Sequence, residues 1–275
     1  MKDGQPTLIE APGRWPRLAL GEMWRYRSIA RVLASRNLKV RYRQTVLGVA
    51  WVLIQPLSLM LVFSIFFGLL ARQSYFDIPY PVFFLCALAI WLPTLKVVNE
   101  GTLSLSANQQ LVTRVYVPRA LIPFSVAIAS LVDLGFMLVA LGVTLLVFGF
   151  MPLLTLLSLP LLILIAYLTG LGIAYWFAAI NVEYHDVQVG LPFFERMWFF
   201  LSPILYPAQI VPEAFQPLFY LNPMAVVMTG LRWALAGAPP PPLYAWVEGI
   251  VVSVLLLVTG YLIFQRREPT FADVL

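Results

Sequence analysis

The first long apolar stretch of the chain decides its fold, because it follows directly on a polybasic segment. Residues 36–70 read RNLKVRYRQTVLGVAWVLIQPLSLMLVFSIFFGLL, and the last 24 of them, residues 47–70, contain no charged side chain. A helix of about 20 apolar residues crosses the hydrocarbon core of a bilayer. The stretch therefore predicts a membrane-spanning helix, with a positively charged segment held at one membrane surface.

The composition of the whole chain agrees with a membrane protein. Hydrophobic residues make up 61% of the 275 positions and charged residues 11%, whereas soluble domains are about 45–50% apolar and about 25% charged. A single cysteine, Cys86, excludes an intrachain disulfide, and a single histidine, His185, excludes a zinc site built from histidines. We expect no metal site, no nucleic-acid partner and no large soluble catalytic domain.

The long apolar runs predict an all-α membrane protein with six transmembrane helices. We place the spans at about 47–70, 82–101, 120–149, 153–179, 191–206 and 244–264, the fifth being short. Residues 207–242 are broken by prolines yet rich in apolar side chains, so we expect short re-entrant helices there, between spans five and six. The remaining segments are a basic region at 1–46, loops at 102–119 and 180–190 on its side of the membrane, and a tail at 265–275.

The basic side chains predict the orientation. Fifteen of the 18 Lys and Arg residues fall on the side of the N-terminal segment, while Arg72 and Arg232 fall on the opposite side and Lys96 lies within the second span. By the positive-inside rule, both termini are cytoplasmic. With its six spans, the chain is expected to be a multi-pass protein of the cytoplasmic membrane.

Residues 22–46 have the pattern of an amphipathic helix lying in the membrane interface. Tyr26, Ile29, Ala30, Leu33 and Val40 recur at helical spacing, with the cations largely on other faces. The segment fits a membrane anchor that fixes the orientation. A sharper hypothesis is that four of its cations also receive a negatively charged lipid-linked substrate at the inner leaflet; these are Arg36, Lys39, Arg41 and Arg43.

Predicted spans two and three contain three charged residues. Lys96 and Glu100 are four apart, so they face the same way and can form a snorkelling pair. Asp133 lies roughly 21 Å along the third span by helical rise. An acid at that depth is a candidate functional group, but we favour a structural hydrogen bond to a neighbouring helix over a proton relay.

A phosphate-binding loop is missing from the sequence. That loop ends in Gly-Lys, and none of the 16 glycines is followed by lysine. ATP-driven work by this route must come from a partner. His185 and Asp186 stand near Glu183 in a short loop, where a solvated contact surface is a better interpretation than an acid/base site.

Several separate motifs resemble those of the type-2 ABC exporter permeases that move bacterial polysaccharides. The run Asn37–Gly48, continuing through Trp51 to Gln55-Pro56, resembles the family signature at the first membrane helix. Other similar stretches follow in the family's order, and the matches cover most of the chain: Trp24–Arg27, Asn108–Arg119, Val132-Asp133, Asn181–Val187, Ser202–Pro207, Leu221–Met224 and Phe271–Leu275.

The resemblance implies a homodimeric permease that binds two copies of a separate ATPase, with ATP and Mg held by that partner and no cofactor in this chain. It implies export of an undecaprenyl-linked O-antigen, or of a related capsular or teichoic-type polymer, across the bacterial inner membrane. By family analogy, the first cytoplasmic loop forms a coupling helix on the ATPase, carried by Asn108, Gln109, Leu111, Val112, Arg114, Val115 and Pro118. The second loop makes a smaller contact, carried by Asn181, Tyr184, His185 and Asp186.

In that helix, Leu111, Val112 and Val115 can share one face, and an exposed apolar patch there would seek a partner. Aromatic side chains suit a glycan, because sugar rings present apolar C–H faces and tyrosine hydroxyls can bond to sugar hydroxyls. We therefore expect the channel and outer gate to include Trp51, Tyr206, Phe215, Phe219 and Tyr220, although an interfacial aromatic belt would use the same residues.

Three other functions stay open on the sequence alone. A type-2 ABC exporter of a small hydrophobic drug or lipid would share the spans and coupling loops. A proton-coupled secondary transporter would use Asp133, Lys96 and Glu100. A membrane-bound polyprenyl glycosyltransferase is disfavoured, because the predicted loops are too small to hold a nucleotide sugar.

Overall fold

The computed structural model describes residues 21, 25–42, 48–70, 75–114, 117–150, 155–184 and 186–271. Ten α-helices follow one another in these ranges: α1 Arg27–Tyr42, α2 Trp51–Phe63, α3 Tyr80–Ala107, α4 Gln109–Arg114, α5 Leu121–Val147, α6 Leu159–Asn181, α7 Asp186–Leu201, α8 Gln216–Tyr220, α9 Pro223–Ala236 and α10 Leu243–Arg267. A π-helical segment, Ser64–Leu70, continues α2. The described residues form helices and turns, with one isolated β-bridge between Tyr75 and Ile78.

Five helices of the described residues are long and apolar enough to cross a membrane. They are Trp51–Leu70, Tyr80–Ala107, Leu121–Val147, Leu156–Asn181 and Leu243–Thr270. These agree with predicted spans one to four and six. The second span runs further than predicted, because α3 continues through residues 102–107 of the expected loop.

The predicted fifth span is the exception. Residues 191–201 of that span belong to α7, a helix of 16 residues that carries Glu195 and Arg196, whereas residues 202–206 form turns. At 1.5 Å per residue it is about 24 Å long, short of a hydrocarbon core of about 30 Å. The helix ends where the chain turns at Ser202-Pro203.

Helix α3 is the centre of the fold. In its most apolar stretch 78% of the residues are buried, compared with 6% in Trp51–Leu70. Ser130 of α5 donates a hydrogen bond to the Pro93 carbonyl of α3 at 2.7 Å, and its hydroxyl lies 3.1 Å from that of Tyr167 on α6. These polar contacts join α3, α5 and α6 within the apolar core.

Helices α6 and α10 pack side by side in the same direction. A Cβ on Gly172 would lie 2.6 Å from the Leu256 backbone, and one on Gly260 would overlap the Gly172 carbonyl. Further along both helices, Tyr175 contacts Tyr261 and Phe264. Glycine is needed here because the two backbones approach too closely for a larger residue.

The C-terminal ends of α3, α6 and α10 meet at one end of the molecule, which we call the basic end. Asn181, at the end of α6, donates to Ser106 of α3 at 3.3 Å. Arg267, at the end of α10, pairs with Glu183 at 2.9 Å. The chain reaches the start of α10, at the opposite end, through residues 186–242.

Helix α1 confirms the predicted amphipathic helix, but its apolar side packs against the protein. Ala30, Leu33 and Ala34 are buried, and Asn37 donates to Ser125 of α5 at 3.4 Å. Val40 was expected on the apolar side, yet it is 70% exposed. Val40 lies on the same helical face two turns beyond Leu33, so the packing that buries Ala30, Leu33 and Ala34 does not extend to it.

Candidate functional site

A short helix, α4, forms within the loop 102–119 where a coupling helix was predicted, and it is tied to α1; its coupling role stays a prediction. The Arg36 guanidinium donates to Asn108 Oδ1, and Asn108 Nδ2 donates to the Ser104 carbonyl at 2.8 Å. Gln109 and Gln110 are exposed. The structure therefore joins a predicted substrate-receiving residue and a predicted coupling residue in one contact.

Val112 was expected on an exposed apolar docking face of α4, and this prediction is wrong. Val112 is only 4% exposed and belongs to a core cluster at the basic end with Leu33, Leu105 and Ile122, and Leu111 packs against that cluster. The apolar side of α4 therefore faces the protein, leaving its glutamine side outward. Val115 and the side chain of Arg114 lie outside the described residues, whereas Pro118 is half-buried.

The second predicted loop is mostly helical. Asn181 is buried and bonded to Ser106, so it holds the loop against the end of α3 and does not present a contact surface. Tyr184 and Asp186 are exposed, and Asp186 begins α7. His185 lies outside the described residues.

The start of the C-terminal tail joins these loops, which sequence reasoning missed. The Arg267 guanidinium pairs with Glu183 of the second loop. Glu268 accepts from the Arg119 backbone N–H at 2.9 Å, and the Arg119 guanidinium donates to the Glu268 carbonyl. Phe271 is fully buried against Phe264, with ring centroids 5.1 Å apart. The sequence signal for this docked tail was a bulky aromatic residue, Phe271, shortly after the charged end of α10.

Cations of α1 line an open groove. Arg31, Arg36 and Lys39 surround it together with Ser35 and the apolar side chains of Val32 and Val40, and its volume is about 620 Å³. Positive charge beside exposed valines suits an anionic headgroup with an attached lipid tail. Arg43 and the side chain of Arg41 lie outside the described residues.

The intramembrane charges are paired differently from the prediction. The Lys96 ammonium lies 2.6 Å from Asp133 Oδ2, so its ion-pair partner is on α5 and is not Glu100 one turn away. Asp133 comes within reach because α5 crosses α3 at the level of Lys96. The expected bond of Asp133 to a neighbouring helix is present, formed with Lys96 of α3; that its role is structural stays a prediction.

Lys96 and Asp133 line a cavity of about 280 Å³ between α2, α3 and α5. Gln55, Asn99 and Glu100 also line it, as do Pro56 and Pro93. The cavity therefore places amide, ammonium and carboxylate groups behind α2, the least buried of the long helices. Intramembrane polar groups of this kind commonly mark substrate pathways.

The predicted gate aromatics do not form one group. Tyr206 and Phe219 contact each other with ring centroids 6.4 Å apart, and Phe215 is 60% exposed. Tyr220 is buried within the core, so it is not available to a passing substrate. Trp51 is exposed but begins α2 near the basic end, a helix length away from the other four.

Arg232, expected on the side opposite the basic N-terminal segment, is buried in α9. Its guanidinium donates to the carbonyls of Phe83 at 3.1 Å, Ile204 at 2.8 Å and Tyr206 at 3.4 Å, and lies 3.5 Å above the Phe83 ring. It therefore fastens the segment after α7 to α3. A lone arginine inside an otherwise apolar helix was the signal for such a role.

The described residues contain no group of three or more His, Cys, Asp or Glu side chains placed to hold a metal ion.

Comparison with known proteins places these features in a family context. The family described as "ABC-2 type transporter" matches residues 30–236, from α1 to the end of α9. The chain is 31% identical over 255 residues to the O-antigen export system permease protein RfbA of Myxococcus xanthus, covering 92% of this chain and 97% of the relative.

More distant relatives are similar over nearly the same length. Identity is 26% over 247 residues to the O-antigen export system permease protein RfbA of Klebsiella pneumoniae, covering 89% of this chain and 93% of the relative. It is 25% over 245 residues to the polysialic acid transport protein KpsM of Escherichia coli, covering 86% and 92%.

Proposed function

Since the chain belongs to the ABC-2 type transporter family, we propose that it is the permease subunit of an ATP-driven exporter of undecaprenyl-linked O-antigen or a related polysaccharide. It would act in the bacterial inner membrane. The observation that carries this proposal is the near full-length similarity to an O-antigen export permease. The polar cavity behind α2 supports a hydroxylated cargo over a purely hydrophobic one.

The energy source is a separate ATPase subunit, which holds ATP and Mg. Two copies of it bind a homodimer of this chain at the basic end. The exposed residues Gln109, Tyr184 and Asp186 are the proposed contacts. Asn108, Val112 and Asn181 act behind that surface, because their contacts are within the protein.

The proposed topology has six crossings with both termini in the cytoplasm. Two observations support it. Helices α6 and α10 run in the same direction, so residues 186–242 must return the chain to the other end between them. The clustering of Arg36, Arg119 and Arg267 at one end agrees with the positive-inside rule. Helix α7 is the fifth crossing, and the short helices of residues 208–220 re-enter from the outside.

Substrate reaches the transporter at the groove of α1. The cations of this groove bind the anionic part of the lipid-linked polymer, and Val32 and Val40 face its lipid. From there the glycan passes along α2. That helix has the smallest buried fraction among the long helices, and covering it with a second copy would place the polar cavity beside the passage.

The ion pair also bears on the proton-coupled alternative. A proton carrier needs an acid that changes its protonation state during transport, whereas Asp133 is neutralised by Lys96 at 2.6 Å. The pair thus favours a fixed structural charge.

A gene deletion with complementation tests the proposal. Without this protein, surface polysaccharide should be lost and lipid-linked polymer should accumulate at the inner leaflet; the intact gene should restore export. ATP-dependent uptake of the polymer into inverted vesicles should require both this chain and the ATPase and should survive collapse of the proton gradient. Normal surface polysaccharide in the deletion strain would refute the proposed function.

A further inference from the structure

A second candidate site lies at the end of the molecule opposite the basic end. A cleft of about 680 Å³ opens between the turn before α3, the end of α5 and the end of α9; it is lined by Phe76, Asp77, Phe150, Trp233 and residues 234–240. We call it the outer cleft. Its volume is within the range of roughly 300–1,000 Å³ that is usual for small-molecule sites.

The turn that forms one wall has an unusual backbone. Phe76 and Asp77 have φ values of 58° and 57°, both in the left-handed region. The Ile78 N–H donates to the Tyr75 carbonyl at 3.1 Å and closes the turn around them. Positive φ is rare for a bulky residue such as phenylalanine, and such conformations concentrate at binding sites. The turn leaves Phe76 39% exposed at the cleft.

The opposite wall combines an aromatic ring with a helix end. Trp233 lines the cleft and is held edge-on against Trp246, with ring centroids 6.2 Å apart. Helix α9 ends at Gly237, whose φ of 74° reverses the chain. The C-terminal end of a helix carries partial negative charge on its carbonyl groups. Pro239 and Pro240 follow and stiffen this wall.

The chemistry of the lining selects one class of ligand. Aromatic faces offer a surface to the C–H face of a sugar ring, and the Asp77 carboxylate and the carbonyl end of α9 accept hydrogen bonds from hydroxyl groups. Among the lining residues that the structure describes, Asp77 is the ionisable one. Such an acceptor-rich site disfavours the phosphate of a phospholipid headgroup.

We infer that the outer cleft binds sugar residues of the exported polymer as they leave the transporter. This inference rests on the proposed function and adds a glycan-binding site on the exit side. The site is separate from the aromatics at Tyr206 and Phe219, since none of the lining residues belongs to that group.

Site-specific photocrosslinking tests the inference in cells that carry the full chain and its ATPase. Phe76 is replaced by p-benzoylphenylalanine, which keeps an aromatic ring in the cleft. The matched control carries the same probe at Leu157, which is 84% exposed at the same end but does not line the cleft. The probe at Phe76 should capture polysaccharide several-fold more efficiently than the probe at Leu157, as judged by glycan staining of the purified protein.

Adding Asp77→Asn to the Phe76 probe protein tests the carboxylate. Asparagine tolerates the left-handed backbone, but hydrogen bonds to a neutral acceptor are weaker than those to an ionised one. Capture should fall several-fold. If the Phe76 probe protein does not accumulate, the probe at Phe150 replaces it.

The outcomes separate the two proposals. Export that continues without glycan capture at Phe76 or Phe150, or with a phospholipid adduct there, overturns the outer cleft and leaves the proposed function intact. Capture equal at Leu157 and Phe76 also overturns it. Loss of the proposed function would instead appear in the deletion strain, as surface polysaccharide that persists without this protein.

Discussion

Replacing Asp133 with leucine removes the carboxylate from an ion pair that is largely shielded from solvent. The Asp133 side chain is 4% exposed and that of Lys96 25%. Removing one partner of a fully buried pair costs about 3–5 kcal/mol. Because Lys96 keeps partial access and can reorient, we expect a loss of about 2 kcal/mol in the free energy of unfolding.

Replacing both partners should cost less than replacing either one. Lys96→Met combined with Asp133→Leu leaves no uncompensated charge, and buried pairs replaced by apolar residues of similar volume are often neutral in stability. Lys96→Met leaves the Asp133 carboxylate, whose side chain is 4% exposed, without its ammonium partner and should lose about 3–5 kcal/mol, whereas the double variant should lose less than about 1 kcal/mol. The single losses then sum to at least about 5 kcal/mol, so an interaction energy of about 4 kcal/mol or more would identify a structural pair.

Unfolding of the purified protein in mixed micelles, followed by tryptophan fluorescence, gives the four stabilities of this cycle. Glu100→Gln serves as a control, because Glu100 is not the ion-pair partner of Lys96. Export is measured beside stability, because Lys96 and Asp133 also line the polar cavity proposed to lie beside the passage. The reasoning fails if the double variant is as unstable as the sum of the singles.

Three further variants test the packing. Gly172→Ala should cost about 1–3 kcal/mol of unfolding free energy, measured by thermal unfolding in detergent, because the added methyl group forces α6 and α10 apart. The control Gly142→Ala should be near neutral, since its Cβ would meet nothing within 4 Å. Equal losses in the two variants would contradict the close packing. Arg232→Met should cost about 3 kcal/mol of unfolding free energy, because buried carbonyl groups lose their hydrogen-bond donor. It should also expose residues 202–222 to protease, whereas the control Arg196→Met, at an exposed position, should not. Unchanged protease resistance in Arg232→Met would argue against Arg232 as the residue that holds this segment. Phe271→Ala should cost about 3 kcal/mol of unfolding free energy and should lower export more than it lowers ATPase binding. The control Pro269→Ala, at an exposed position, should leave stability and export unchanged. Wild-type export in Phe271→Ala would show that the tail is dispensable.

Most of the helical architecture was predictable, because each apolar side chain adds its own favourable contribution to membrane insertion, and the sequence shows where these side chains are concentrated. Apolar runs located five long helices within a few residues, and the basic run before α2 located the amphipathic helix. The fifth span was harder, since α7 is short and carries Glu195 and Arg196. Length and charge there do not distinguish a crossing from an interfacial helix.

The side-chain partners were less predictable than the helices. Helical spacing placed Lys96 near Glu100, but the approach of α5 gave it Asp133 instead. The same spacing placed Leu111 and Val112 on one face of α4, as observed, without showing that the face packs inward. Periodicity tells which residues share a face, and only the neighbouring helices decide what covers it.

The sequence alone determined that this chain is a helical membrane protein, and its ordered motifs indicated the family. Whether a segment spans a membrane depends on the free energy of transferring its side chains out of water. Each residue contributes to that free energy independently, so composition and segment length are enough to predict it. The tertiary structure decided the burial of Arg232 and Tyr220, the ion pair of Lys96, the joining of the two basic-end loops by Arg267 and Glu268, and the outer cleft. These depend on residues far apart in the chain meeting in space, which no local pattern records.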